Sequence, residues 1–368
     1  MPAVESPLIK TNKEETKAKE RQSMASHVKL LTFTVPAYNS EAYLSQCIES
    51  LIPGGDDVEI IVINDGSTDN TESIALEYEK KYPGIVKVIS KINGGHGSGI
   101  NVGLENATGL YFKVVDSDDW LDAHSLATLL STIREHYQEQ ILADLYITNF
   151  IYDKANEGKF FVRHFTRHFK SNRFSKWSQV GKFFGAQVLL MHSLTYNTEK
   201  LRQSGLKLPH HTFYVDNIYS YTPLPQMHNI FYLDTNLYHY YIGREDQSVN
   251  IRVFTNRYDQ QIRVMKEMIN TYSYAQIMKM EKGLRRYMLH FLSAIMMITI
   301  FFTVAKDGED RREALTGLWT HIKAKDKKLY RFLRRRAMPW MVNYLPWRLR
   351  GVVMTAGYKF LQRRIKLG

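Results

Sequence analysis

Short apolar segments alternate with helical segments in the first third of this 368-residue chain, and this alternation restricts the possible folds most strongly. The apolar segments are rich in β-branched residues, which predicts buried strands. The segments between them carry apolar residues at helical spacing. Strands that alternate with helices pair in parallel, so the sequence predicts an α/β protein with a doubly wound, mostly parallel sheet flanked by helices. The predicted strands are Leu30–Val35, Val58–Ile63, Val86–Ser90 and Tyr111–Val115.

Polar residues directly follow three of these strands. Tyr38 and Asn39 come after the first strand, Asp65 after the second, and the acidic segment Asp116–Asp119 after the fourth. The carboxyl ends of parallel strands meet at one edge of a sheet, and doubly wound proteins bind their ligands there. The sequence therefore predicts a nucleotide or sugar-nucleotide site at this edge.

The acidic segment Asp116–Asp119 has three carboxylates in four residues. Carboxylates held this close repel one another. Mg²⁺ or Mn²⁺ is the usual compensating ion, because each takes carboxylate, water and phosphate oxygens as ligands. A divalent-cation site is one interpretation. The other is a turn whose acids cap the following helix, since Asp is a favoured N-cap residue.

Three motifs, in this order along the chain, resemble those of the family 2 glycosyltransferases of GT-A fold. They are Thr34–Asn39 with the sequence TVPAYN, Ile63–Asp69 with the sequence INDGSTD, and Asp116–Asp119 with the sequence DSDD. The resemblance covers roughly residues 28–250 and implies a Rossmann-like GT-A catalytic domain. It also implies an enzyme that uses Mn²⁺ or Mg²⁺ and transfers a hexose from a nucleotide sugar, with inversion at the anomeric carbon.

The same resemblance implies how the donor nucleotide is held. The backbone around Pro36 and Ala37, together with the ring of Tyr38 and the neighbouring Asn39, would hold the base. Asp65 would accept a hydrogen bond from the imide of uracil, which favours a UDP-sugar donor. The alternative for the segment that contains Asp65 is a plain turn that caps a helix.

The acidic segment has its own implied roles. Asp118 would coordinate the metal directly, and Asp116 would meet the metal through a water molecule or contact the ribose. Asp119 is similar to the last acid of the family motif and would orient the transferred sugar. A bound cation would offset the negative charge that develops on the leaving diphosphate.

Inversion requires a base on the face of the sugar opposite the leaving group. The family often supplies it from a Glu-Asp pair well beyond the acidic segment. Val215 and Asp216 stand at the matching place, so Asp216 is the predicted base, although the preceding Glu is missing. The alternative for Asp216 is a helix N-cap. Arg244 lies in a segment that resembles the family's flexible loop, where it would clamp the diphosphate; the alternative is an ordinary surface ion pair.

The segment Asn93–Gly99 is rich in glycine and follows the third strand. Its glycine spacing is not that of the dinucleotide fingerprint G-x-G-x-x-G, which argues against a nicotinamide enzyme. We expect this segment to form a loop that lines the donor pocket, with Asn93 and His96 near the phosphates.

The chain beyond the resemblance is predicted to be helical. We place the domain boundary near Asn250, which gives a C-terminal region of residues 251–368, and we expect residues 1–27 to form a disordered polar leader. Tyr287–Ala305 is a stretch of 19 residues without a formal charge. It is long enough to span about 30 Å. Its polar residues, and the absence of a second such stretch, favour a buried or membrane-facing helix over a membrane span.

Charge is distributed unevenly along the chain. Residues 327–368 hold 12 Lys and Arg and no acid, while the rest of the chain has 37 basic and 37 acidic residues. Aromatic residues such as Trp340 and Trp347 are interleaved with these cations. This pattern predicts attachment to an anionic membrane surface, and no nucleic-acid fold accompanies it. A single cysteine, Cys47, and a start without a secretory pattern predict the cytoplasmic side of the cell membrane.

The sequence thus predicts a UDP-sugar glycosyltransferase that extends a glycan in cell-surface polysaccharide or teichoic acid synthesis, and we expect the acceptor to be lipid-linked. One alternative is a non-catalytic subunit that keeps nucleotide binding within a glycan-assembly complex. A nucleotidyltransferase is a further alternative, but it would be expected to have a Gly-rich, Lys- or Arg-bearing loop after the first strand. The sequence Pro36-Ala37-Tyr38-Asn39 does not fit such a loop.

Overall fold

The computed structural model describes residues 28–154, 157–242 and 251–365. Three features predicted from the sequence lie outside these residues: the leader 1–27, the phosphate clamp Arg244 and the domain boundary near Asn250. They stay predictions.

Four parallel strands form the N-terminal half of the sheet and confirm the predicted α/β class. Each lies within two residues of its predicted position, and β1 is buried along its whole length. The order across this half is β3-β2-β1-β4. These elements are β1 (Leu31–Ala37), α1 (Leu44–Leu51), β2 (Val58–Asn64), α2 (Thr71–Lys81), β3 (Val86–Ser90), α3 (His96–Asn106) and β4 (Tyr111–Val114).

The second half of the sheet mixes parallel and antiparallel pairs. Its elements are β5 (Trp120–Leu121), α4 (Ala123–Gln138), β6 (Leu145–Lys154), β7 (Lys159–Arg163), β8 (Arg173–Ser175), β9 (Leu194–Asn197), α5 (Thr198–Gln203), α6 (Asp216–Tyr221) and β10 (Ile230–Tyr241). From β4 the sheet continues in the order β9-β6-β10-β5. β9 is antiparallel to both of its neighbours, while β10 is parallel to β6. The sequence did not reveal β9, because four residues are too few to show a periodicity.

The glycine-rich segment is helical from His96 onward, so the prediction of a loop up to Gly99 is wrong. The glycines allow α3 to approach its neighbours closely. A methyl group on Gly99 would lie 3.0 Å from Cβ of Pro36, and one on Gly103 would overlap the side chain of Thr34. Helix propensity disfavours glycine, but contact with β1 outweighs that preference here.

The described residues from 251 onward are helical, as predicted. Among all the described residues, helix α10 is the one helix that is long and apolar enough to cross a membrane. In its most apolar stretch, 78% of the residues are buried, because α8, α11 and α14 pack around it. The structure therefore favours a core helix at Tyr287–Ala305. The helices are α7 (Ile251–Asn256), α8 (Tyr258–Thr271), α9 (Tyr274–Lys279), α10 (Lys282–Val304), α11 (Glu309–Lys325), α12 (Lys327–Arg335), α13 (Trp340–Asn343) and α14 (Trp347–Ile365).

Candidate active site

The acidic segment forms a tight turn directly after β4. The backbone N–H of Asp119 donates to the carbonyl of Asp116 at 3.0 Å, which closes the turn. The hydroxyl oxygens of Ser117 and Ser40 lie 2.7 Å apart and are buried. This hydrogen bond fastens the acidic turn to Ser40, the residue that directly follows the first sequence motif.

Asp119 is buried beneath the turn and anchors it to β10. Its carboxylate accepts a hydrogen bond of 2.6 Å from the Tyr238 hydroxyl and one of 2.8 Å from the Tyr241 backbone. Burial, and the nearby charges of Asp118 and Asp116, raise the pKa of Asp119 well above its usual value. The charges of Asp118 and Asp116 therefore disfavour ionisation of Asp119. A bound cation would favour its ionisation.

Asp116 forms an ion pair with His96 at the start of α3. Nε2 of His96 and Oδ1 of Asp116 are 2.7 Å apart. Burial alone would raise the pKa of Asp116, but the charge of His96 and its hydrogen bond outweigh burial and lower that pKa. The pKa of His96 is raised for the same reason, although burial opposes the change. The glycine-rich segment thus contributes a cation to the acidic turn.

Asp216 is the first residue of α6 and belongs to the same electrostatic cluster. Burial is the main cause that raises the pKa of its carboxyl to about 6, and the charge of Asp116 acts in the same direction. The charge of His96 opposes both effects. A carboxyl group whose pKa lies near neutrality is suited to accept a proton at physiological pH.

The loop before α6 brings Asp216 to the start of α3. The backbone N–H of His211 donates to the carbonyl of Gly94 at 2.7 Å. His211 and Tyr214 both have positive φ angles, 46° and 64°, a conformation that non-glycine residues rarely adopt. The ring of Tyr214 also contacts Phe302 of α10 at a centroid distance of 5.3 Å. The C-terminal helices therefore support the loop that positions Asp216.

His192 completes a group of possible metal ligands that the sequence did not reveal. One ligand atom each from Asp116, Asp119 and His192 lies within 4.8 Å of the others. His192 is 7% exposed, and its ring stacks on Tyr240 at 4.5 Å. Burial lowers its pKa to about 4, so the imidazole is neutral, which is the form that binds metals.

The His192 side chain has an unused polar atom. Among the described residues, no hydrogen-bond partner lies near its buried Nδ1. Two carboxylates and a neutral imidazole form a donor set that fits a divalent cation such as Mn²⁺. The predicted ligands were Asp118 and Asp116; Asp118 is a half-buried residue of the same turn and does not belong to this group of three. No local pattern marks His192, because it reaches the turn only through the fold.

Asp65 is buried at the end of β2, where three donors hold its carboxylate. Oδ1 accepts from Nζ of Lys91 at 2.5 Å and from the backbone of Gly94 at 2.9 Å, and Oδ2 accepts from the backbone of Gly95 at 2.7 Å. A carboxylate has about four acceptor positions, so Oδ2 retains one for a further donor. The sequence did not indicate that Lys91 would pair with Asp65.

Five more of the predicted donor residues lie at or just after the ends of β1 and β3. Pro36 and Ala37 are the last residues of β1, and the ring of Tyr38 is 52% exposed beyond them. Asn39 has a φ angle of 48°, and its Oδ1 accepts from the backbone of Thr68 at 2.9 Å. Asn93 is half-buried beside Gly66. The ends of β1 and β2 are thus joined, with one aromatic face left open to solvent.

A comparison with known protein families identifies this domain. The sequence profile of glycosyl transferase family 2 matches residues 32–196, which include all three motifs. Residues 32–196 form a glycosyl transferase family 2 domain. The resemblance noted in the sequence is therefore confirmed. The family match ends before Asp216, so the assignment of that residue does not follow from it.

Several bacterial proteins are similar to this family 2 domain. Glycosyltransferase GlyA of Streptococcus pneumoniae is 38% identical over 132 residues, which are 36% of this chain and 18% of GlyA. The minor teichoic acid biosynthesis protein GgaB of Bacillus subtilis is 38% identical over 108 residues, 28% of this chain and 12% of GgaB. The putative glycosyltransferase EpsH of the same species is 36% identical over 130 residues, 35% of this chain and 36% of EpsH. The matched segments span well under two thirds of these relatives.

Solved structures show the same fold. Residues 1–349 of TarS from S. aureus superpose with a TM-score of 0.60 at 18% identity, over 88% of each chain. The complex of the same TarS fragment with UDP-GlcNAc gives a TM-score of 0.57 at 19% identity, over 88% of this chain and 89% of TarS. The predicted GT-A fold is confirmed, and the structural likeness extends into the C-terminal helices of this chain.

Proposed function

We propose that this protein transfers a sugar from a UDP-sugar, with inversion, to a glycan acceptor of cell-surface polysaccharide or teichoic acid synthesis. One observation carries the proposal. His96 forms an ion pair with Asp116 and also interacts electrostatically with Asp216, which supports a site that combines the predicted metal-binding and base residues. Relatives named for teichoic acid biosynthesis and for a poly(ribitol-phosphate) glucosyltransferase support the acceptor class.

The donor would be held at the ends of β1 and β2. The exposed ring of Tyr38 offers a face for the base, and the remaining acceptor position of Asp65 suits the imide of uracil. Asp118 and Asp116 would hold Mn²⁺ or Mg²⁺, with Asp119 and His192 within reach. A bound cation offsets the negative charge on the leaving diphosphate.

Asp216 would act on the acceptor. Its carboxylate takes the proton of the attacking hydroxyl while that oxygen bonds to the anomeric carbon and the bond from this carbon to UDP breaks. The raised pKa of Asp216 suits this role, since a carboxylate with a pKa of about 6 is a better proton acceptor than an ordinary one. The charge of His96 opposes this increase in pKa and so favours the ionised form that accepts the proton.

A panel of nucleotide sugars tests the donor class. We expect UDP and one UDP-sugar to raise the melting temperature of the protein when Mn²⁺ is present, because a ligand that binds only the folded state stabilises it. GDP- and ADP-sugars should give smaller shifts. Equal shifts with all nucleotides would contradict selection by Asp65, and UDP-sugar binding without turnover on any glycan would favour a non-catalytic subunit.

Replacing His192 with phenylalanine is expected to weaken metal activation. Phenylalanine keeps a flat ring for the contacts with Tyr238 and Tyr240 but removes both nitrogen atoms. We expect the Mn²⁺ concentration for half-maximal stabilisation by UDP to rise by about 10- to 100-fold, as for the loss of groups that support a metal. The measurement is a Mn²⁺ titration at fixed UDP.

The matched control for His192 is His136, which is also buried and stacked on a tyrosine but does not belong to the group of possible metal ligands. His136→Phe should leave the Mn²⁺ midpoint unchanged. An unchanged midpoint in His192→Phe as well would remove His192 from the metal site.

We also propose that the protein works peripherally on the inner face of the cell membrane. Six apolar side chains on or beside α13 and α14 are about half exposed or more: Trp340, Met341, Tyr344, Leu349, Val352 and Val353. The last three lie on one face of α14. Exposed cations such as Arg335 and Arg348 accompany them, and each cation near an anionic surface contributes about 1 kcal/mol.

The triple variant Trp340→Ser, Leu349→Ser and Val352→Ser is expected to lose most of its binding to vesicles of phosphatidylglycerol, because it removes apolar surface but no charge. Cosedimentation measures this binding, with phosphatidylcholine vesicles as a neutral reference. The control variant Leu76→Ser, Ile141→Ser and Phe160→Ser also removes three exposed apolar side chains. Equal binding by both variants would contradict the membrane proposal.

A further inference from the structure

A cleft of about 440 Å³ opens among the C-terminal helices, apart from the residues of the acidic turn. Helix α11 forms one side of it, α12 another, and the start of α14 a third. Its size is in the range of sites for small ligands. We call it the C-terminal cleft and define it by its cationic and aromatic lining: Arg312, Trp319, Lys323, Arg334, Trp347 and Arg350.

The lining of the C-terminal cleft is strongly positive. It contains four cations and no acidic residue. Asp307 and Glu309 partly offset the charge of Arg312, which they contact at 2.9 Å and 3.8 Å. In the described ranges, no carboxylate forms an ion pair with Lys323, Arg334 or Arg350. Cations that share a cleft without counterions repel one another, and a bound anion would relieve that repulsion.

The pKa of Arg350 reflects this repulsion between cations. Its guanidinium donates to the carbonyls of Leu345 and Asn343 at 2.8 Å and 2.7 Å, which fixes it in place. Burial, and the charge of Arg334, lower the pKa of Arg350 below its usual value. The backbone therefore holds one cation close to another, an arrangement that favours the binding of an anion such as phosphate.

Aromatic rings lie next to these cations. The guanidinium of Arg334 lies over the ring of Trp319 at 5.3 Å, and that of Arg312 lies over Trp347 at 5.5 Å. Trp319 is 7% exposed, and its buried indole N–H has no acceptor within the described part of the chain. A buried donor without a partner costs free energy, which an oxygen atom of a ligand could recover.

A ligand that carries both a phosphate group and a hydroxylated carbon skeleton fits this combination of cations and aromatic rings. The cations suit a phosphate group, and the half-buried ring of Trp347 offers a face for the C–H surface of a sugar or polyol. A free phosphate would use the cations but not the rings. A single-stranded nucleic acid would stack its bases on exposed rings, whereas Trp319 is almost fully buried and presents little face for stacking.

We propose that the C-terminal cleft binds a phosphorylated sugar or polyol, the repeating unit of an anionic glycan, and thereby retains the acceptor chain beside the catalytic domain. This inference rests on the proposed transfer to a glycan and specifies its chemistry: the acceptor contains phosphodiesters. Retention at a second site would let one end of a long acceptor be exchanged at the active site while the chain stays bound.

A binding experiment with the full chain tests the proposal. The probe is a synthetic hexamer of glycerol phosphate, and titration calorimetry measures its affinity. The test variant combines Lys323→Gln with Arg334→Gln. The matched control combines Lys325→Gln with Arg331→Gln, which removes the same charge from the same two helices at exposed positions outside the lining. We expect about a tenfold or greater loss of affinity in the test variant, equivalent to about 1.4 kcal/mol, and little change in the control.

Several outcomes would overturn the proposal. Equal losses in both variants would indicate general attraction to positive charge. Binding of hexauridylate as tightly as the glycerol phosphate hexamer would indicate a nucleic-acid site. Binding to phosphatidylglycerol vesicles that depends on Lys323 and Arg334, without binding of the soluble hexamer, would assign the cleft to a lipid headgroup. The single variant Lys323→Gln, at an exposed position, gives a second reading should the double variant be unstable.

The thermal shift with UDP-sugar and Mn²⁺ separates this inference from the proposed function. All cleft variants should retain that shift, which also shows that they are folded. If the hexamer binds to the cleft but UDP-sugar and Mn²⁺ cause no thermal shift, the cleft proposal is supported and the transferase proposal is refuted. A normal shift with no hexamer binding would refute the cleft alone.

Discussion

Replacing Asp216 with asparagine is expected to lower the rate of sugar transfer by about 10²- to 10⁴-fold, the usual contribution of a general base. Asparagine has nearly the same shape, but its amide cannot accept the proton of the acceptor hydroxyl. Donor binding should change little, since Asp216 lies on α6 and the predicted donor residues lie at the ends of β1 and β2. The measurement is initial-rate transfer, with the UDP-induced thermal shift as the test of donor binding.

The pH dependence of transfer provides a second reading of Asp216. Its pKa is raised to about 6, so the carboxyl is protonated below that pH and cannot act as a base. Transfer by the unmodified protein should therefore rise as the pH increases from 5 to 7, and the residual activity of Asp216→Asn should lack this rise. Asp56→Asn, at an exposed position after α1, is the control. Full turnover in Asp216→Asn would show that another group is the base.

Asp118→Ala is expected to abolish the part of donor stabilisation that depends on Mn²⁺, together with transfer. At a UDP concentration 100 times the dissociation constant, binding stabilises the folded state by about 2.7 kcal/mol. Most of that stabilisation should disappear when the predicted direct ligand of the metal is removed. Thermal unfolding with UDP, in the presence of either Mn²⁺ or a chelator, measures the effect.

The comparison of variants makes the Asp118 result specific. Asp56→Ala removes an exposed carboxylate outside the acidic turn and should keep the full shift. The four combinations of protein and metal distinguish a lost ligand from a lost fold, since a folded Asp118→Ala protein still unfolds cooperatively. A shift in Asp118→Ala that still requires Mn²⁺ would assign the metal to the other residues near it, Asp116, Asp119 and His192.

Asp116 is both a predicted metal ligand and the partner of the His96 side chain. His96 holds Asp116 at 2.7 Å, and its charge lowers the pKa of that carboxyl. The ion pair keeps Asp116 ionised against the repulsion of its acidic neighbours, as a metal would. His96 therefore offers a way to preserve the acidic turn before a donor arrives.

The sequence determined the parts of this protein that depend on residues close together in the chain. Apolar segments such as Val58–Ile63 alternate with segments that have helical spacing, and this alternation was enough to predict parallel strands. The place of Asp65 and of Asp116–Asp119 at strand ends was enough to predict the edge of the sheet where they meet. Both patterns report local conformation, which a few consecutive residues specify.

Other features were decided only by the tertiary structure. His192 reaches the acidic turn because β9 inserts beside β4, and Lys91 reaches Asp65 because β3 pairs with β2. The glycines after Gly95 look like a loop in the sequence and become a helix through contact with β1. The C-terminal cleft joins residues of three helices. Such contacts depend on how distant segments pack, and the free energy of that packing has no signature in a short stretch of sequence.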